Sequence, residues 1–224
     1  MARPGPAKRL AYMEEHIFDT NVATFLDNLA SAAPAPGGGT AAALAGAMAA
    51  GLVSMVCNLT IGKARYADVE AEMRDSLDRA EALRHELQQL GQADLEAFNR
   101  LSAAYKLPRT TDSDIAIRRD AIQSLLRRAT EVPLRTARAA ASILPLCPPV
   151  AERGNQAALS DVGVAAHLAH AAVRSALLNV DINLRLLEDA GYVRQVRAEV
   201  ARLTDGLDAE AARIGELVEH KLKA

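Results

Sequence analysis

The segment Ser31–Gly62 reads SAAPAPGGGTAAALAGAMAAGLVSMVCNLTIG and contains no charged residue over 32 positions. After its Pro and Gly residues, it predicts one long helix from about Thr40 to Gly62. Ala42, Gly46 and Ala50 recur every four residues, which makes a smooth face that a second helix can approach closely. Because a helix that is apolar all round is typical of the centre of a bundle, we predict that this Ala/Gly-rich helix is buried.

The same segment is long enough to span a bilayer. Ala and Gly dominate it, however, whereas membrane insertion favours Leu, Ile, Phe and Val. We therefore predict no membrane insertion. Cys57 and Cys147 lack the spacing of a disulfide or metal motif, and no apolar stretch follows the basic N-terminal residues. These features favour a cytoplasmic protein.

The composition favours helices over strands. Half of the 224 residues are apolar but only 3% are aromatic, so Ala, Leu and Val must supply the core, as in close-packed helices. With 26 basic and 28 acidic side chains the net charge is −2, so the basic excess of a nucleic-acid-binding protein is missing.

Apolar residues with a helical period predict six helices, and no stretch alternates like a strand. The predicted helices cover about 20–30, 40–62, 68–105, 113–144 (bent near Pro133), 156–188 and 192–221. We predict an all-α fold, a single-domain antiparallel helical bundle over 16–224, after a flexible tail over 1–15.

Asp94 interrupts the apolar stripe of the third predicted helix. The stripe includes Leu87 and Leu90, and its next position, four residues on, is Asp94. A carboxylate on that face must find a partner, a wet cleft or a raised pKa, because an unpaired buried charge is costly. The pattern indicates either a functional carboxylate or half of a structural ion pair.

The fifth predicted helix carries polar residues at both ends of one small-residue face. Asp161 and Asn179 share this face because 18 residues complete five turns, which separates them by about 27 Å. One small reacting centre cannot contact both, but an extended ligand or a site shared across a dimer could. Asp161 could equally cap the helix, and Asn179 and Asn183 could bond each other or neighbouring main chain.

The glycines at 37, 38 and 39 precede the uncharged helix. Main-chain N–H groups at a helix start can bind an anion, and glycine lets a ligand approach closely. A turn that requires positive φ would give the same sequence. Lys63 follows the other end of the helix, where it either complements the helix dipole or binds an anionic ligand.

Several stretches together resemble the cyclodeaminase/cyclohydrolase family of folate enzymes. The combination of PGGG with the later NLTIGK is the most specific part. The matching stretches follow the family's order over about residues 20–220: Phe25–Ser31, Pro34–Gly39, Leu52–Lys63, Asp94–Phe98, Val132–Leu134, Gly154–Asn155, Ser160–Ala165 and Asn179–Val180.

The resemblance implies an all-helical homodimer that acts on a reduced folate without a metal or other cofactor. Met55–Asn58 and Tyr105–Pro108 are similar to the stand-alone bacterial members, which hydrolyse 5,10-methenyltetrahydrofolate to 10-formyltetrahydrofolate. We expect this activity. The family's other activity, release of ammonia from 5-formiminotetrahydrofolate by a cyclodeaminase, stays open, as does a non-catalytic helical assembly or folate-binding protein.

Pattern and resemblance together select the candidate site residues. No metal ligand is predicted. The catalytic candidates are Asp94, Asp161 and Lys63, and the substrate-binding candidates are Gly37, Gly38, Gly39, Asn58, Asn155, Ser160 and Asn179.

Overall fold

The computed structural model describes residues 17–223, so the predicted flexible tail over 1–15 lies outside the described residues. Within that range the chain is all-helical and contains no strand. Its α-helices are α1 (Val22–Leu29), α2 (Gly38–Thr60), α3 (Glu70–Ala104), α4 (Asp112–Ala141), α5 (Cys147–Arg153), α6 (Leu159–Leu184), α7 (Ala190–Thr204) and α8 (Leu207–Lys223).

Four of these helices form the central bundle. α2 packs against α3 and α6, and α4 packs against the same two helices from the opposite side. α2 and α6 are antiparallel, since Gly38 lies beside Asn179 and Thr60 bonds the main chain of Asn155, just before α6. α8 packs on the outside of α6. The loop before α2 and the loop before α6 therefore lie at opposite ends of the bundle.

The small-residue face of α2 is a close helix contact, as the spacing predicts. Ala42, Gly46 and Ala50 are buried. A Cβ atom added to Gly46 would lie 3.1 Å from both Leu87 methyl carbons on α3. A side chain at position 46 would therefore crowd Leu87, so a glycine favours this close contact.

The outer face of α2 differs from the expectation of a helix buried all round. Met48, Met55 and Leu59 are each more than one-third exposed in the single chain. By length and composition α2 could cross a membrane, but most of its apolar stretch is buried inside the bundle. In the single chain, the buried residues of α2 lie on its inner face.

Two local features differ from the predicted helices. The helix predicted over 192–221 is interrupted at Gly206, whose φ of 72° is a left-handed conformation that ends one helix and allows the next to begin. The proline-rich segment after α4 also continues as a 3₁₀ turn and then α5. Proline is tolerated there because the N–H groups of a helix's first turn have no hydrogen-bond acceptor within the helix, so the N–H that proline lacks is not missed.

We expect Gly46→Leu to lower the free energy of unfolding by about 1–3 kcal/mol or more, because its side chain would overpack the contact with Leu87. Urea unfolding monitored by circular dichroism measures this. Gly51→Ala is the matched control, since a Cβ at Gly51 would meet Arg84 Cδ at an ordinary 3.7 Å. The control should gain about 0.5–1 kcal/mol from the lost glycine. Equal stability of the two variants would contradict the close contact.

Candidate active site

A cavity of about 320 Å³ lies beside the first turn of α2. This volume is within the usual range of small-molecule sites. The cavity is bounded by the loop before α2 and by α3, α4 and α6, and most of its wall is apolar. Its lining residues are Pro34, Ala35, Gly37, Gly38, Gly39, Asp94, Ala97, Phe98, Leu101, Ala129, Asn179, Ile182 and Asn183.

Asp94 brings a carboxylate from α3 to the first turn of α2. The Thr40 hydroxyl donates a hydrogen bond to Asp94 Oδ2 (3.0 Å), and the Thr40 main-chain N–H also donates to this carboxylate. Burial raises the pKa of Asp94, and the hydrogen bonds from Thr40 offset only part of that increase. The carboxylate is therefore fixed in position and more basic than an exposed one.

The glycine loop makes room for this carboxylate. A Cβ atom on Gly39 would lie 2.3 Å from Asp94 Oδ1, so any other residue at this position would displace the Asp94 side chain. Gly38 faces Asn179 instead, at an ordinary 3.6 Å from its would-be Cβ to Asn179 Nδ2. Gly39 thus leaves the space that the Asp94 carboxylate occupies at the first turn of α2.

The positive-φ explanation of the three glycines is wrong. Among the described glycines, positive φ occurs at Gly62 and Gly206. The alternative was an anion bound at the helix start. In the structure, the carboxylate that contacts the α2 N-terminus is the protein's own Asp94. Close approach of the Asp94 side chain to the main chain explains the glycine at position 39, whereas an added Cβ at Gly37 or Gly38 would make ordinary contacts.

Two asparagines of α6 complete the polar part of the cavity. Asn179 Nδ2 donates to the Ser175 carbonyl at 3.0 Å, and Asn183 Nδ2 donates to the Ala129 carbonyl at 2.7 Å. Of the two alternatives from sequence, bonding to neighbouring main chain is confirmed. Both amide oxygens remain available to the cavity.

Sequence reasoning missed Thr40 and did not select Asn183. For Thr40 the signal was its place directly after three glycines, where a hydroxyl can cap or bond a group at the helix start. For Asn183 the sequence held no local signal, because its hydrogen-bond partner, the Ala129 carbonyl, lies on another helix. Neither contact follows from a local pattern.

The remaining candidates lie at the other end of α2. Asn155 is held there by a hydrogen bond from its N–H to Thr60 Oγ1 (2.9 Å) and from its Nδ2 to the Leu59 carbonyl (3.1 Å). Arg65 donates to Asn155 Oδ1 at 3.1 Å. The other predicted residues of this far-end group are Asn58 near the end of α2, Lys63 after it, and Ser160 and Asp161 in the first turn of α6.

Within a single chain, the cavity residues around Asp94 and the far-end group lie far apart. α2 has 23 residues, which at 1.5 Å per residue separates its ends by about 33 Å. Asp94 and the glycines lie at one end, and Asp161 and Lys63 at the other. Asp161 is not the N-cap of α6, because Ala158 occupies that position.

Thiol and metal chemistry find no support among residues 17–223. Burial raises the pKa of Cys57 to about 11 and that of Cys147 to about 12, so neither thiol is a ready nucleophile. No group of three His, Cys, Asp or Glu side chains in this part of the chain is arranged to hold a metal ion.

Comparisons with known proteins agree with this architecture. A family model described as formiminotransferase-cyclodeaminase matches residues 21–202. A methenyltetrahydrofolate cyclohydrolase of Methylorubrum extorquens is 45% identical over 203 residues, which cover 91% of this chain and 96% of that protein. A formimidoyltransferase-cyclodeaminase of Sus scrofa is 35% identical over 92% of this chain but only 38% of its own length.

A solved structure shares the fold. The crystal structure of a formiminotetrahydrofolate cyclodeaminase from Thermotoga maritima superposes with a TM-score of 0.81 at 30% identity. The match covers 92% of this chain and 99% of that one. The shared helical bundle and the near full-length sequence matches lead to one assignment: this chain belongs to the formiminotransferase-cyclodeaminase family.

Proposed function

We propose that the protein is a methenyltetrahydrofolate cyclohydrolase that converts 5,10-methenyltetrahydrofolate and water to 10-formyltetrahydrofolate. The observation that carries the proposal is the buried, basic carboxylate of Asp94 in a cavity with apolar walls. The relative that matches 96% of its own length at 45% identity bears the same activity in its name. We place the reaction in the cytoplasm.

The chemistry requires a base and no resident cofactor. The methenyl carbon lies between N5 and N10 in an amidinium cation and is already electrophilic. A water oxygen adds to this carbon while Asp94 takes a proton from the water. Asp94 then returns a proton to N5 as the carbon–N5 bond breaks. The hydroxyl oxygen becomes the formyl oxygen on N10 as its proton leaves, so one proton is released overall.

The cavity suits a flat cation. Phe98, Leu101 and Ile182 supply apolar contacts for the folate ring, and Asp94 supplies the opposite charge. A carboxylate in a site of low polarity stabilises a nearby cation more strongly than it would in water. The apolar wall also limits competing water.

Cyclodeaminase activity is the second candidate, supported by the Thermotoga maritima structure and the 35% identical pig protein. In that reaction N10 attacks the formimino carbon and ammonia leaves, which forms the same methenyl cation. Incubation with each folate separates the two functions. We expect loss of methenyl absorbance and no ammonia; ammonia from the formimino substrate without methenyl hydrolysis would overturn the proposal.

We further propose that two copies pair through the outer faces of α2 and α6, the α2/α6 face. Both helices expose an apolar stripe at helical spacing, and Leu178 and Ile182 are 71% and 60% exposed. Large uncharged stripes on a single chain are typical of a subunit interface. The stripes consist of Met48, Leu52, Met55 and Leu59 on α2, and Val164, Leu168, Ala171, Ser175, Leu178 and Ile182 on α6.

Pairing through this face accounts for the two separated groups. Ile182 belongs both to the face and to the cavity wall, so a second subunit would cover the cavity mouth. A two-fold axis perpendicular to α2 reverses its direction in the partner. The far-end group of the partner subunit, including the partner subunit's Lys63, then approaches Asp94, and opposite charges meet. Lys63 would there contact the anionic part of the folate.

Replacing Asp94 by Asn removes the charge and basicity at constant volume. We expect kcat and kcat/KM to fall together by about 10²–10⁴-fold, as for loss of a general base. The pKa of Asp94 is higher in the folded protein than in the unfolded chain. Ionisation of Asp94 therefore lowers the free energy of unfolding once the pH exceeds the pKa of the unfolded chain. Asp94→Asn should therefore be at least as stable as the wild type at neutral pH. Unchanged turnover with reduced stability would instead indicate a structural role.

Gly39→Ala should displace the Asp94 carboxylate and lower kcat/KM by about 10²-fold, because small displacements of a reacting group are costly. The matched control is Gly38→Ala, whose added carbon meets Asn179 at ordinary contact distance. Steady-state hydrolysis assays on both variants give the comparison. Similar activities would show that the position of Asp94 does not depend on Gly39.

Mixed dimers test the shared site. Asp94→Asn and Lys63→Ala chains with different tags are co-expressed, and the heterodimer is isolated. Each parent dimer should be nearly inactive. If the site takes one residue from each subunit, the heterodimer keeps one intact site of its two and should recover about half of the wild-type activity. Recovery no greater than the mean of the parents would refute a site that spans two subunits.

A further inference from the structure

Pro133 leaves a main-chain acceptor free inside α4. Proline has no N–H, so the carbonyl four residues earlier, that of Ala129, loses its helical partner. Asn183 of α6 replaces that partner, since its Nδ2 donates to the Ala129 carbonyl at 2.7 Å. Asn183 and Ala129 both line the cavity, whereas Pro133 is buried and is not among the lining residues.

This bond determines which way the Asn183 amide faces. Its NH₂ group must point to the Ala129 carbonyl, so its oxygen is left toward the cavity. Asn179, one turn earlier, has the same arrangement, because its NH₂ group donates to the Ser175 carbonyl at 3.0 Å. Within residues 17–223 no group donates to either amide oxygen. The two asparagines are therefore fixed as hydrogen-bond acceptors, about 5–6 Å apart between their Cβ atoms.

We propose that Asn183, oriented through the carbonyl that Pro133 frees, forms with Asn179 an acceptor pair that recognises the N–H edge of the substrate's ring. The inference rests on the proposed function, in which that ring is a 2-amino-4-oxopteridine. The 2-amino group and N3–H are adjacent donors on one edge of this ring. Pro133 is a positioning residue, and Asn183 is a specificity-determining one.

The chemistry of the cavity favours this ligand class over others. Asp94 and the two amide oxygens present acceptors, which favours a ligand edge that carries hydrogen-bond donors over a phosphate or carboxylate edge. A planar ring with N–H donors satisfies the amides, and the apolar wall covers its faces. A site built to accept an N–H bond rejects an analogue that lacks it, because its own acceptor is then left unpaired.

The test uses binding, so it does not depend on turnover. The probes are 5-formyltetrahydrofolate and its analogue with methyl in place of the 2-amino group, titrated by calorimetry. We expect the wild type to prefer the amino compound by ~10- to 100-fold. Asn183→Leu, which has a similar size and no acceptor, should reduce that preference to within about threefold, a loss of one hydrogen bond. An undiminished preference in Asn183→Leu would overturn the inference.

Pro133→Ala tests the positioning step. The restored N–H would compete for the Ala129 carbonyl and release the Asn183 amide. We expect the same loss of preference as in Asn183→Leu, with no further loss in the double variant. Thermal unfolding should show that the variant remains folded, because alanine favours a helix interior. Pro148→Ala, at the start of α5 and away from the cavity, is the control. Full preference in Pro133→Ala would refute its positioning role.

The outcomes separate this inference from the proposed function. A wild type that binds and discriminates but does not hydrolyse methenyltetrahydrofolate would contradict the cyclohydrolase and leave the acceptor pair standing. A wild type that hydrolyses methenyltetrahydrofolate but binds both probes equally would support the cyclohydrolase and overturn the acceptor pair. Absence of binding to both probes would overturn the acceptor pair, whereas hydrolysis of methenyltetrahydrofolate decides the cyclohydrolase.

Discussion

The contact between Asp94 and the first turn of α2 is the constraint on which the site depends. A carboxylate taken out of water needs hydrogen bonds, and both come from Thr40. It also needs space, which exists because Gly39 has no side chain. Burial keeps the pKa of Asp94 high, because no cationic side chain within residues 17–223 pairs with it, so the contact makes Asp94 both fixed and basic. A base that must take a proton from water requires both properties.

The rest of the fold holds this contact in place. The inner face of α2 meets α3 at Gly46, close enough that α3 carries Asp94 to the helix start. The antiparallel arrangement of α2 and α6 then brings Asn179 and Asn183 to the same end, while Lys63 and Asn155 lie at the other. An apolar stripe runs along the outer face of each of these two helices. One pair of helices thus provides the cavity wall, the separation of the polar groups and the proposed subunit interface.

Much of this follows from local sequence. Helical periodicity gave the main helices to within a few residues, and Asp94 was identifiable because it replaces an apolar residue in a stripe. The break at Gly206 was also predictable from the sequence, because an Asp-Gly pair is typical of a turn. The contacts of Thr40 with Asp94 and of Asn183 with Ala129 each join residues 54 apart. Such contacts depend on helix packing, which no local pattern encodes. Residues 160 and 161 lie far from Asp94 in the same chain, so a role for them beside Asp94 requires the partner subunit of the proposed dimer.

The most direct test of the account is the pKa of Asp94 itself. Carbon-13 NMR of labelled aspartate can follow its carboxyl carbon beside that of Asp114, whose pKa is lowered by hydrogen bonds from Thr110 and Thr111. We expect Asp94 to titrate well above Asp114, and kcat/KM to rise with pH through the same value, because the base acts in its deprotonated form. An Asp94 that titrates in the ordinary carboxyl range, or a rate profile that ignores its titration, would contradict the central claim.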